Sequence, residues 1–136
     1  MADTLKLEIV TPGATTYSED VSMVTLPAVE GQIGIYPHHV PLMTRIVPGE
    51  LRVRKEGQDD FLAVGEGLVE ITSGRVAIVT DMAVAAKDID EAAAEEARQR
   101  AEAHLHDKIS DAEVATVNGA LARSLAQLRV KRRRRV

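Results

Sequence analysis

The sequence predicts an α+β chain in which an antiparallel β-sandwich of about ten short strands, residues 1–87, is followed by a two-helix αα-hairpin arm with a basic tail, residues 88–136. Three observations carry this. From Leu5 to Val84 the apolar residues alternate in short Val- and Ile-rich runs. At Asp88 the composition turns to Ala, Glu and Arg. Beyond Ser110 the apolar residues recur at steps of three and four.

The strand runs are "LKLEIV", "DVSMVTL", "ELRVRKE", "DDFLAV", "GLVEIT" and "RVAIVT", separated by Pro, Gly, Ser and acidic residues. Short alternating runs at regular spacing, with turn residues between them, are the pattern of a sandwich or flattened barrel. Ser73-Gly74 inside "ITSGRVAIV" predicts a hairpin, since glycine adopts the positive φ a tight turn needs. Pro48-Gly49 predicts a second turn between "LMTRIV" and "ELRVR". No long helical stretch interrupts this half, which excludes a doubly wound sheet.

The first helix is expected to open at Asp88-Ile89-Asp90-Glu91, an acidic cap with Glu three residues later. A second box, Ser110-Asp111-Ala112-Glu113, launches a helix whose stripe is Val114, Val117, Leu121, Leu125 and Leu128. The short joint "HDKIS" folds the two helices back on each other. The inward stripe of the first helix reads Ile89, Ala93, Ala97 and Ala101. Alanine buries about a third of the area of leucine, so the hairpin is expected to be a weakly held, detachable arm on a rigid platform.

Composition narrows the chemistry. The 136 residues contain no cysteine and only three aromatic side chains, Tyr17, Tyr36 and Phe61. Disulfides, thiol catalysis and Cys-ligated metals are excluded, a reducing compartment is favoured, and stacking platforms for single strands are lacking. The start "MADTLKLEIV" has no secretory pattern, and no run is long and apolar enough for a membrane span, so no direct membrane insertion is expected. Acidic residues outnumber basic ones by five over 1–87 and by five again over 88–128, whereas the last eight residues carry six cations.

The stretch "GQIGIYPHHVPLMTRIVPGELRV" poses the main question. It is no phosphate loop, because the Gly-Lys-Ser/Thr ending and the following helix are missing. His38 and His39 are adjacent and would point to opposite faces of a strand, and His104 and His106 fall on different sides of a helix end, so no metal site is expected. The carboxylate pairs Asp59-Asp60 and Glu95-Glu96 read as turn and solvated-helix residues. There is no catalytic motif, and no catalytic residue is expected. The tail "RVKRRRRV" admits a nucleic-acid anchor, a targeting signal, or a cationic helix end that docks on an acidic protein surface. The last is the most economical.

"EGQIGIYPHHVPLMTRIVPGELRV", then "GEGLVEITSGRVAIVTDMA", then "DIDEA", resembles the epsilon subunit of bacterial rotary F-type ATP synthases, from about Leu5 to about Val130. The resemblance implies a non-catalytic rotor subunit of the central stalk. Such a subunit couples ion-driven rotation of the c-ring to ATP synthesis and inhibits ATP hydrolysis through its C-terminal helices. The implied partners are the gamma subunit and the c-ring, with the beta and alpha subunits when the arm extends, and no nucleic acid. The implied location is peripheral, on the cytoplasmic face of the bacterial inner membrane. Glu30, Gln32, His38 and His39 would lie at the gamma and c-ring contact, with Gln32 replacing an acidic residue frequent in the family.

Some bacterial members bind ATP through Ile/Leu-Asp-x-x-Arg-Ala at the start of the first helix. Here Ile89 and Asp90 match, but Ala93 replaces the arginine that would grip phosphate. Weak or absent ATP binding is therefore expected, with no cofactor. Arg123, Arg129, Lys131, Arg132, Arg133, Arg134 and Arg135 would be the cations of the inhibitory arm, facing an acidic segment of beta. The alternative from another class is an adaptor whose basic C-terminal tail tethers nucleic acid.

Overall fold

The structure, a computed structural model, describes residues 3–133. Ten strands precede the helices: β1 (Leu5–Thr11), β2 (Ala14–Val21), β3 (Met23–Ala28), β4 (Gly31–Ile35), β5 (Leu42–Ile46), β6 (Gly49–Lys55), β7 (Gln58–Val64), β8 (Gly67–Thr72), β9 (Arg75–Thr80) and β10 (Ala83–Ala85). They form one curled sheet in the order β10-β7-β6-β3-β5-β8-β9-β1-β2, with β4 paired to β3. Alternation explains the curl. Leu5, Leu7 and Ile9 of β1, Val69 and Ile71 of β8, and Val76 and Ile78 of β9 all point inward. They meet Val24 and Leu26 of β3 and Leu51 and Val53 of β6 in a single dry core.

The sandwich is antiparallel as expected, apart from the ladder between β1 and β9, which is parallel, with Leu7 opposite Val76 and Ile9 opposite Ile78. Alternation within a strand carries no sign of its partner's direction.

"DVSMVTL" is two strands, not one. Ser22 separates β2, which pairs with β1, from β3, which pairs with β4, β5 and β6. Both the amide and the hydroxyl of Ser22 donate to the Arg54 carbonyl at 2.9 Å, which fixes the break.

The Ser73-Gly74 hairpin forms, with Gly74 at φ 76° and Thr72 opposite Arg75. Pro48-Gly49 makes a corner instead of a hairpin, because β5 and β6 lie on either side of β3 and do not pair. The tight turn in that region is Glu56-Gly57, where both residues have positive φ, 53° and 78°. That is the primed geometry that matches strand twist.

A 3-10 turn (Ala86–Asp88) leads to helix α1 (Glu91–Leu105), and the loop 106–110 connects it to α2 (Asp111–Arg133). The first cap is Asp90, not Asp88: its carboxylate accepts the Ala93 amide at 3.0 Å. Asp88 is used in the 3-10 turn, and Ile89 between them is buried, so the helix begins two residues later than the capping spacing suggested. The second box forms as read, with the Glu113 amide donating to Ser110 Oγ at 3.2 Å and that hydroxyl donating to the Glu113 carboxylate at 3.3 Å.

The expected stripe holds at Ile89 and Ala101, which are buried, and at Ala97, which is half-buried, but Ala94 is buried in place of Ala93, which is exposed. In α2, Leu125 is exposed, and Val117, Ser124, Ala126, Leu128 and Val130 are buried. A single stripe was expected, but α2 has two neighbours, α1 on one side and the sheet on the other.

Candidate docking face and arm junction

The outward side of β5, β8, β9 and β1 carries a band of apolar residues. Arg45 lies opposite Leu68, Leu68 opposite Val79, and Val79 opposite Val10, so the four form one row across four strands. Facing pairs in adjacent strands share a sheet face, and Leu68 and Val79 are 52% and 59% exposed. The next row is Met43, Glu70, Ala77 and Glu8, bounded by an ion pair of 2.7 Å between Arg75 and Glu8. Exposed Val, Leu and Met in contiguous rows, rimmed by charge, is the usual surface of a protein contact. Periodicity gave the sign of this face but could not show that nothing of the chain's own covers it.

The segment 36–41 adds Tyr36 and Val40, both largely exposed, at one end of this face. His38 and His39 sit here in a turn, not a strand. His38 has φ 71°, with Nε2 at 3.4 Å from Asp3, and His39 Nδ1 contacts the Val40 carbonyl at 2.6 Å. Glu30 lies in the β3–β4 turn and Gln32 in β4 opposite Pro27, both exposed. The turn 29–30 adjoins the far end of β5, where the Val29 amide bonds the Arg45 carbonyl. β4 thus spaces Glu30 from the two histidines by roughly one strand length, about 17 Å, with Gln32 near the start of that strand. The four residues bracket the apolar rows instead of forming one cluster. Among the described residues no group of His and acidic side chains could hold a metal.

The arm lies elsewhere, across β6, β7 and the 3-10 turn. Its apolar junction is small: Ala63, Ala86, Ile89, Ala126 and Val130, flanked by Phe61, Met82 and Val84. This explains why Leu62, Ala63 and Val64 are all buried in a strand that should alternate: the core takes Leu62 and Val64, and the arm covers Ala63. α1 packs chiefly on α2.

Polar contacts close the junction around the basic end of α2. Arg133 Nε donates to Glu50 at 2.6 Å, and its guanidinium lies 5.0 Å from the centre of the Phe61 ring. Arg132 reaches Glu91 and Glu95, both at 3.1 Å. Lys131 donates to the Ala86 carbonyl at 3.3 Å, and Arg123 meets Asp81 at 3.4 Å. Arg129 is exposed, and Arg134 and Arg135 lie outside the described residues. Sequence reasoning named these cations but not their partners, because each partner is far away along the chain.

Glu95 is the most charge-stabilised carboxylate of the arm. The Arg98 guanidinium first, then Gln99 and Arg132, hold its pKa down to about 2. Arg98 is also bonded to Glu102 at 2.7 Å, so it is engaged within α1. Ile89 and Asp90, the two residues matching the nucleotide motif, serve here as a buried anchor and a helix cap.

A cavity of about 540 Å³ lies where the arm meets the sandwich, lined by Tyr17, Asp60, Phe61, Lys87, Asp88 and Arg133 among others. Burial, with Glu19 beside it, pushes the Tyr17 phenol up, so it stays neutral.

Comparison with known proteins bears on both parts. Residues 4–86 match the model of the ATP synthase delta/epsilon chain β-sandwich domain, and residues 87–132 match that of the long α-helix domain. The ATP synthase epsilon chain of Halorhodospira halophila is 44% identical over 128 residues, 93% of this chain and 91% of the relative. That of Nitrosococcus oceani is 43% identical over 98% of this chain and 96% of its own length. Among solved structures, a chain of the Euglena gracilis mitochondrial ATP synthase shares the fold with a TM-score of 0.75 at 24% identity, over 88% of this chain and 76% of its own. A chain of the Tetrahymena thermophila mitochondrial ATP synthase central stalk and c-ring has a TM-score of 0.66 at 14% identity, over 93% and 96%. Matched over residues 4–132 by the two domain models, and over most of its length by relatives more than 40% identical, the chain belongs to the ATP synthase delta/epsilon family, as an epsilon chain.

Proposed function

We propose that the chain is a non-catalytic central-stalk subunit that couples ion-driven rotation of the c-ring to ATP synthesis in the catalytic head. The observation that carries this reading is the uncovered apolar band of Leu68, Val79 and Met43 on a sandwich whose relatives are epsilon chains. A rotor subunit transmits torque through a rigid docked face, and a β-sandwich with a dry core is stiff enough to do so. The gamma subunit is assigned to this band. The c-ring is assigned to the bracketing turns, with Glu30 and Gln32 at one end and His38 and His39 at the other. The protein acts on the cytoplasmic face of the bacterial inner membrane as a peripheral component. Among the described residues no helix is long and apolar enough to cross a membrane.

The arm restrains ATP hydrolysis when it leaves the sandwich and reaches the alpha and beta subunits, and its cations meet acidic side chains there. ATP is not its ligand. Ala93 offers no guanidinium to a phosphate, and Arg98 is occupied by Glu95 and Glu102. The nucleic-acid adaptor reading is not favoured, since Arg123, Arg132 and Arg133 face carboxylates of their own chain.

The test adds the chain back to a catalytic head complex stripped of this subunit. It compares full-length protein, a form ending at Lys87, and full-length Leu68→Glu, reading co-elution with gamma and ATP hydrolysis. Binding by the first two, inhibition by the first alone, and loss of binding by Leu68→Glu are expected. Binding by all three would refute the assignment of the apolar band, and inhibition by the Lys87 form would refute the role of the arm.

A further inference from the structure

We propose that the basic end of α2 is a two-part electrostatic clasp, in which Arg133 and Arg123 hold the arm to the sandwich and Arg132 separately holds the two helices together. The inference rests on the reading of the hairpin as a movable arm, and deepens it by naming what keeps it down.

The geometry divides the contacts by the elements they join. Arg133 crosses from α2 to β6, where the Glu50 side chain is only 10% exposed. Arg123 crosses from α2 to Asp81 beside β9, and Lys131 crosses to the Ala86 carbonyl of the 3-10 turn. Arg132 alone of these turns the other way, to Glu91 and Glu95 on the first turns of α1. The apolar junction that the clasp supplements is made of three alanines, Ile89 and Val130, with little area to bury. Beside so small a contact, charge pairs contribute a measurable share of the docking equilibrium.

It follows that release has two separable stages. Loss of Arg133 or Arg123 frees the hairpin as a closed unit. Loss of Arg132 lets α1 and α2 part at the end remote from their loop. High salt weakens both, because the interacting charges are at least partly exposed and the Debye length falls from about 10 Å at 0.1 M to about 3 Å at 1 M.

The native sequence has no cysteine, so two spin-label pairs can be placed cleanly in the full-length chain. Thr72→Cys with Leu125→Cys reports the distance from sandwich to arm, and Ala92→Cys with Leu125→Cys reports opening of the hairpin. In Arg133→Gln the released fraction should rise about two- to fivefold on the first pair with no change on the second. In Arg132→Gln the second pair should lengthen. The exchange Glu50→Arg with Arg133→Glu should restore docking, and raising salt in the unmodified background should lengthen both distances. Distance distributions that ignore both single variants and salt would overturn the clasp, as would both pairs changing together in either variant. The measurement is made without the synthase, so it fails or succeeds independently of the add-back experiment.

Discussion

Replacing Ile89 by alanine should loosen the arm and leave the sandwich intact. Ile89 is 4% exposed and packs with Ala63, Ala86, Ala126 and Val130 in a cluster separate from the main core. The substitution deletes three buried carbons, and at about 0.8 kcal/mol each the transfer loss is about 2.4 kcal/mol before any cavity is counted. Ile89 also packs on Ala126 and Val130 of its own arm, so the full loss is the upper limit of what falls on docking. At about 1.4 kcal/mol per decade this is a shift of at most about 50-fold. Amide hydrogen exchange resolves it. Amides of β7 beneath the arm should lose protection by that factor, and those of β1, β8 and β9 should change by less than about twofold. Equal loss across β9 and β7 would refute the reasoning, since arm and sandwich would then open as one cooperative unit.

Gly67→Ala should destabilise the sandwich itself: a Cβ there would sit 1.9 Å from the Val79 carbonyl oxygen and 2.8 Å from Thr80 Cα. Separating β8 from β9 costs at least about 1–3 kcal/mol, visible as a lower melting temperature of the strand signal. Ser110→Ala removes a cap whose hydroxyl both accepts and donates, and should cost about 1 kcal/mol in the helical transition. Acid should open the hairpin. Glu95 is held below its ordinary value, to about 2, so its contribution is complete above about 4.5 and disappears as pH falls from there towards 2. A distance between α1 and α2 that stays constant from pH 5 to pH 2 would contradict that assignment.

The sandwich was legible because β1, β8 and β9 bury one face and alternate cleanly. Where a strand has a second neighbour the pattern blurs: Ala63 of β7 is buried by the arm, and no local rule anticipates a covering helix. One position of the α1 stripe was misplaced, Ala93 for Ala94, because alanine at 92, 93, 94 and 97 offers no contrast between faces. Leu125 was misassigned because α2 turns small residues, Ser124 and Ala126, towards its neighbours where close approach matters more than bulk. The second cap was read correctly since Ser110 and Glu113 are local to each other, whereas the first depended on the burial of Ile89 by a distant helix. At the candidate sites the sequence supplied residue types, but the Arg133–Glu50 and Arg123–Asp81 pairs join points far apart in the chain.

The parallel ladder between β1 and β9 sets the order in which the protein can be assembled. β1 leaves the ribosome first, yet its inner partner Val76 is synthesised only after seven other strands have begun to emerge. Until then β1 has only its local hairpin with β2, and two strands alone are marginal in water. Pairings of such long sequence separation close slowly. The nascent chain therefore holds an incomplete barrel with an open edge for most of its synthesis, and the sandwich snaps shut only as residues 75–80 arrive. The hairpin, built from neighbours in sequence, then folds last and quickly onto a platform that is already finished.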